Sequence, residues 1–202
     1  MKLNKESYNL IITGVGGQGN VLLSKLIGEL FINKGYFVTI GETYGSSQRG
    51  GSVMSHIRIS KKKQLGSLIP KGRADIVLAL EPVEALRILI TYGNPNVVVL
   101  VNTRPIYPID VTAGEANYPE IQQINKFIEK LSSKVYYLDA TEIAMQMGSS
   151  ILANMVMVGA LIEPNLLPFT AEEFIGILAK KMNKTKLDVN IQALKAGRAT
   201  IH

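Results

Sequence analysis

Residues 9–19, NLIITGVGGQG, set an apolar run directly against a glycine-rich turn, and the turn opens into a segment of helical periodicity. The run at 8–13, YNLIIT, has the near-continuous apolar pattern of a strand covered on both faces. From Gln18 to Asn33, residues Leu22, Leu23, Leu26, Ile27, Leu30 and Phe31 fall on one helical stripe, with Gly35 as the stop. Residues 36–41, YFVTIG, read as a second strand. Strand, glycine turn, helix and strand together predict a right-handed βαβ unit.

Working outward, a second glycine-rich loop, ETYGSSQRGGSV (42–53), follows that strand. SVMSHIRIS then alternates, with Val53, Ser55, Ile57 and Ile59 on one side and Met54, His56 and Arg58 on the other. The run Lys61-Lys62-Lys63 reads as a solvated hairpin turn, since no aromatic residues interleave it as in a nucleic-acid patch. A buried strand is expected at 74–80, further strands at 96–101 and 134–140, and a helix from Pro82 to about Tyr92. Residues 102–118 are rich in Pro, Gly and Thr and read as a long excursion, of the length that commonly carries function.

An amphipathic helix is expected at 119–130, a short one at 140–147 closed by Gly148, and a central buried helix at 151–162. Helical patterns at 170–182 and 186–198 finish the chain. The fold class expected is α/β: a three-layer, Rossmann-like, mostly parallel sheet with helices on both faces and extra C-terminal helices. With no repeat and no low-complexity linker, residues 1–202 form a single domain.

Composition narrows the chemistry. The chain is 47% hydrophobic and 19% charged, which is globular. It contains no cysteine, so disulfides, a thiol nucleophile and an iron–sulfur cluster on its own thiolates are excluded. Its two histidines, His56 and His202, lack metal-ligand spacing, and no metal site is expected. The net charge of +6 favours an anionic ligand or acidic partner only weakly. No apolar run is long enough to span a bilayer, and the N-terminus lacks a signal-peptide pattern; a cytoplasmic protein with no membrane or nucleic-acid partner is expected.

Gly14-Val15-Gly16-Gly17-Gln18-Gly19 fits GxGxxG after a strand and before a helix. Glycines there allow positive φ and close approach, and the helix's free N–H groups face any phosphate placed against them. Glu42, after the second strand, stands near where a dinucleotide-binding domain places its ribose acid. Two accounts remain open at this point: an anion site, or glycines serving only a tight turn and close packing.

Four segments in order resemble the gamma subunit or domain family of 2-oxoacid:ferredoxin oxidoreductases, over about residues 8–198. They are the GVGGQG turn, Glu42 through Val53, ADIVLALEPVEALR (74–87) and NMVMVGAL (154–161). Gln48 before Arg49-Gly50-Gly51 is most similar to the indolepyruvate oxidoreductase beta subunit, although Tyr44 stands where many of that group carry histidine. The resemblance implies an accessory subunit, catalytically silent alone. A large partner carries thiamine diphosphate, Mg and iron–sulfur clusters, coenzyme A is the co-substrate, and ferredoxin takes the electrons from the complex.

The candidate binding residues are Gly14, Gly16, Gly17, Gly19, Glu42, Tyr44, Gln48, Arg49, Gly50 and Gly51. The resemblance places Arg49 and the 45–51 loop towards the partner's thiamine site or the coenzyme A path; an inter-subunit salt bridge or a helix cap is the plainer role. Glu81 reads as a strand-end site residue or a helix cap, and Asn154 as a buried amide bonded to nearby backbone. His56 reads as a packed side chain, and Arg104 as within reach of an anion by position alone. Rival readings are a stand-alone NAD- or FAD-binding protein and a non-catalytic scaffold. Self-association of the isolated chain is also expected where an interface is exposed.

Overall fold

The computed structural model describes residues 5–44 and 51–201. Gln48, Arg49 and Gly50 lie outside the described residues.

The apolar run that opens the chain forms β1 (Ser7–Val15), buried throughout from Leu10. The other strands are β2 (Phe37–Tyr44), β3 (Ser52–Ser60), β4 (Ile76–Ala79), β5 (Val98–Asn102) and β6 (Lys134–Leu138). They form one sheet in the order β2-β3-β1-β4-β5-β6. β3 runs antiparallel to both β1 and β2, while β1, β4, β5 and β6 pair in parallel. The sheet is therefore mostly parallel in direction, with one reversed strand near one edge.

That reversed strand corrects the expected βαβ unit. β1 and β2 point the same way, but β3 lies between them. The reason is local: β2 and β3 are consecutive and pair as a hairpin, and β3's buried, alternating residues suit a strand with neighbours on both sides. The lysine run is corrected too. Lys61–Lys63 is a bend after β3, not a hairpin turn, where the Lys61 N–H donates to the Glu6 carbonyl at 3.1 Å and Lys62 pairs with Glu6 at 2.5 Å.

The helices are α1 (Asn20–Asn33), α2 (Pro82–Tyr92), α3 (Ile109–Thr112), α4 (Ile121–Lys130), α5 (Ala140–Gln146), α6 (Ala153–Ile162), α7 (Ala171–Ala179) and α8 (Lys184–Ala199). Strand alternation divides the core into two. Leu10, Ile12, Ile57, Ile76, Leu78 and Leu100 face the layer of α1 and α5–α8. Ile11, Val77, Ala79, Val99 and Val101 face α2 and α4. α6 is buried from Asn154 through Ile162, as its all-round apolar pattern requires. It begins two residues later than expected, at Ala153, after a 3-10 turn at Ser150–Leu152 that leaves Ile151 exposed. α8 crosses α6 where two glycines meet: a Cβ on Gly159 would lie 2.0 Å from the Leu194 carbonyl oxygen, and one on Gly197 1.9 Å from that of Val156. Among the described residues no helix is long and apolar enough to cross a membrane.

Candidate functional site

The chain leaves β1 through α1 towards the β2 edge on one face of the sheet, and leaves β4 through α2 towards β5 on the other. The direction of winding thus reverses between β1 and β4. At such a point the helices diverge and open a crevice at the carboxyl ends of the strands, where α/β proteins bind ligands. A cleft of ≈450 Å³ lies there, walled by the glycine turn, Leu80, Asn102, Arg104, Thr141 and Asn154.

Gln18 braces the glycine turn. Its Oε1 accepts the Val15 N–H at 2.7 Å, and its Nε2 donates to the Leu80 carbonyl at 2.7 Å, tying the ends of β1 and β4 together. A Cβ on Gly14 would fall 2.5 Å from Gln18 Oε1, so Gly14 is required for close packing. Gly17 (φ 107°) and Gly19 (φ 90°) supply left-handed backbone. The Gly16 N–H donates to the Gly51 carbonyl at 2.8 Å, which joins the first glycine segment to the second. Three donors of the turn are therefore used internally, those of Val15 and Gly16 and the Gln18 N–H, which donates to the Val15 carbonyl at 3.2 Å. The groups left to meet an anion are the first-turn N–H groups of α1, whose N-cap Gly19 offers no side chain and whose first turn carries no acid.

Asn154 stands beside them. It is 7% exposed, and its Nδ2 lies 2.6 Å from where a Cβ on Gly19 would sit. Its side chain lines the crevice. Asn102 was not anticipated. Its Nδ2 donates to the Leu80 carbonyl at 3.1 Å and to Thr141 Oγ at 3.0 Å, joining β4, β5 and α5 under the crevice. The signal for it was a polar residue ending an otherwise apolar strand. Arg104 is exposed and lines the same cleft.

In the second loop, Glu42 lies within β2 opposite Ser55, and accepts from Ser24 Oγ of α1 at 3.4 Å. Tyr44 ends β2, paired with Val53. Past Gly51, Ser52 Oγ donates to Glu84 Oε2 at 2.5 Å, and Arg87 holds the other oxygen of Glu84 at 2.9 Å.

Glu81 is the N-cap of α2, as one of its two sequence readings had it, and is 1% exposed. Its Oε2 accepts the Glu84 N–H at 2.9 Å; its Oε1 accepts the Tyr118 hydroxyl and, at 3.4 Å, the Ile106 N–H. Burial holds the Glu81 carboxyl above the usual carboxylate range despite those donors. Burial, then the Glu81 hydrogen bond, pushes the Tyr118 phenol well up. His56 is fully buried, with Nδ1 accepting the Ile69 N–H at 3.3 Å and its ring edge-on to Tyr92 at 5.1 Å. Burial, followed by the Arg58 charge, lowers its pKa, so it is a neutral packing residue. No group of three or more His, Cys, Asp or Glu suited to a metal occurs among the described residues.

A sheet of this order, with a braced glycine turn at its switch point, defines an α/β protein with a ligand crevice at its strand ends. The chain belongs to the pyruvate ferredoxin/flavodoxin oxidoreductase family, whose model matches residues 9–200. It is 41% identical over 189 residues to the indolepyruvate oxidoreductase subunit IorB of Archaeoglobus fulgidus, covering 94% of this chain and 92% of that one. To the subunit of the same name from Thermococcus kodakarensis it is 37% identical over 193 residues, covering 95% of each. Among solved structures, the pyruvate oxidoreductase subunit PORC of Thermotoga maritima superposes with a TM-score of 0.70 at 21% identity, covering 96% of this chain and 97% of that one. The 2-oxoglutarate:ferredoxin oxidoreductase of Magnetococcus marinus superposes with a TM-score of 0.73 at 20% identity, over 98% of this chain and 31% of that longer chain.

Proposed function

We propose that this chain is the accessory subunit of a thiamine-diphosphate-dependent 2-oxoacid:ferredoxin oxidoreductase, which decarboxylates a 2-oxoacid, passes two electrons to ferredoxin and delivers the acyl group to coenzyme A. Aryl pyruvates such as indolepyruvate are the favoured substrates. The observation that carries this reading is 37–41% identity, along nearly the whole chain, to subunits named for indolepyruvate oxidation. With no cysteine in the sequence, and no metal-binding cluster among the described residues, this chain does not fit iron–sulfur clusters or the metal of thiamine diphosphate. Those groups belong to the large partner subunit.

The part left to this chain is binding and positioning. The first turn of α1, which has no side-chain cap, and the Asn154 amide suit a phosphate of coenzyme A, and Arg104 in the same lining adds a cation. Arg49 is assigned by its sequence position to the partner's thiamine site or the coenzyme A path, where a guanidinium would pair with a carboxylate or phosphate.

The experiment is co-expression with the large subunit of the same source, assayed with indolepyruvate, pyruvate, coenzyme A and ferredoxin. The complex is expected to turn over, fastest with the aryl substrate, and the isolated chain to be inactive. Arg49→Ala is expected to lower kcat/KM about tenfold, the weight of one charge-assisted contact. Unchanged activity of Arg49→Ala with every 2-oxoacid and coenzyme A level would remove Arg49 from the site. Turnover by the isolated chain would overturn the accessory role.

A further inference from the structure

The segment between β5 and α4 is held in a way its own composition does not provide for. From Thr103 through Asn117 no residue is buried, and α3 within it buries none of its side chains. Ile109 is 82% exposed and Tyr107 56%. Apolar burial therefore contributes little to holding the segment down. Beyond Thr103, whose N–H donates to the Leu138 carbonyl at 2.9 Å, its polar anchorage is on the first turn of α2, where Glu81 takes the Tyr118 hydroxyl and the Ile106 N–H on one oxygen.

A plain helix cap needs only the Oε2 of Glu81, on the Glu84 N–H. The second oxygen is spent on the strap. Tyr118 also stacks edge-on against Tyr107 at 5.1 Å, so the same phenol organises the outer end of the segment. Ile106 is common to two clefts: the switch-point crevice, and a second cleft of ≈440 Å³ lying between the segment and α2. Its position decides how far the two are separated, and Arg104 precedes it by two residues on the crevice wall.

We propose that residues 103–118 form a strap latched to α2 by the Tyr118–Glu81 hydrogen bond, and that Glu81 is a positioning residue which holds Ile106 and Arg104 as the wall of the crevice. Glu81 acts through the strap and does not touch the ligand. Only the claim that the crevice serves coenzyme A rests on the function proposed above; the latch itself does not.

Hydrogen exchange on the full 202-residue chain tests the latch. Tyr118→Phe removes one hydroxyl and keeps the ring, and is expected to speed exchange of the 103–117 amides about tenfold, with β4 and β5 unchanged. Glu81→Gln keeps an acceptor for the cap but disturbs the Ile106 N–H contact as well, and is expected to speed exchange at least as much, with the double variant no faster than Glu81→Gln alone. Unchanged exchange in Tyr118→Phe, or additive effects in the double variant, overturns the latch. In the complex with the large subunit, Tyr118→Phe is expected to raise KM for coenzyme A severalfold while kcat holds within about twofold. Faster exchange with an unchanged KM overturns the positioning role. A wild-type complex that does not use coenzyme A counts against the proposed function, and the exchange measurement still decides the latch.

Discussion

Asn154 sets a nearly buried amide at the mouth of the crevice, and drawing such a group out of water costs about 1–3 kcal/mol where no partner offsets it. A residue kept for stability would be apolar there, as its neighbours on α6 are. Asn154→Leu is therefore expected to leave the melting temperature level or raise it, while raising KM for coenzyme A in the complex. Thermal denaturation and steady-state kinetics on one preparation check both halves, and a destabilised variant with unchanged KM would make the amide structural. His56 is a different case. Its depressed pKa means that the unfolded chain binds a proton, below a pH of about 6.5, that the folded chain refuses. The stability tied to His56 is present above that pH and is lost as pH falls. Urea midpoints at pH 7.5 and 5.5 should fall less in His56→Asn, whose amide oxygen keeps an acceptor for the Ile69 N–H. Equal losses in both proteins would place the titration elsewhere.

Helix packing supplies a test in which one substitution has opposite signs. At Gly159 and Gly197 an added methyl would enter a backbone carbonyl of the facing helix, at 2.0 Å and 1.9 Å. Neither helix backbone can yield without opening the α6–α8 seam, so Ala at either site is expected to cost about 3 kcal/mol or more, beyond ordinary overpacking. Gly176, inside α7, has nothing within 4 Å of its Cβ position. There Gly176→Ala is expected to stabilise by about 0.5–1 kcal/mol through helix propensity and a less free unfolded chain. Chemical denaturation of the three variants checks the contrast.

The elements themselves were legible because each rests on neighbours in sequence. β1, α2 and the C-terminal helices announce themselves by periodicity, by Pro82 at a helix start and by apolar runs. The insertion of β3 between β1 and β2 was not legible, since it depends on pairings such as Leu10 with Ile57, 47 positions apart in the chain. The site was partly legible for the same reason. GVGGQG marked the turn at once, but Gln18's reach to Leu80, Asn154's approach to Gly19 and the Glu81–Tyr118 latch are all long-range contacts.

Taken whole, the sheet order bears on the rival dinucleotide reading. A dinucleotide-binding unit sets its second strand directly beside the first, so that an acid at that strand's end reaches the ribose of a cofactor whose phosphates lie on the glycine turn. Here β3 occupies that place, and β2 stands two strand spacings from β1, about 10 Å away. Glu42 is two residues inside the end of β2 and faces Ser24 of α1. The turn itself has spent the Val15 and Gly16 N–H groups on Gln18 and Gly51. A cofactor laid on this turn would meet the N-terminus of α1 without the acid that fixes its ribose. The purified chain is accordingly expected to show no shift in melting temperature with NADH at about 1 mM, whereas a ligand at a hundred times its Kd adds about 2.7 kcal/mol. A shift of several degrees, abolished by Glu42→Gln, would restore the dinucleotide reading and remove the need for a thiamine-bearing partner.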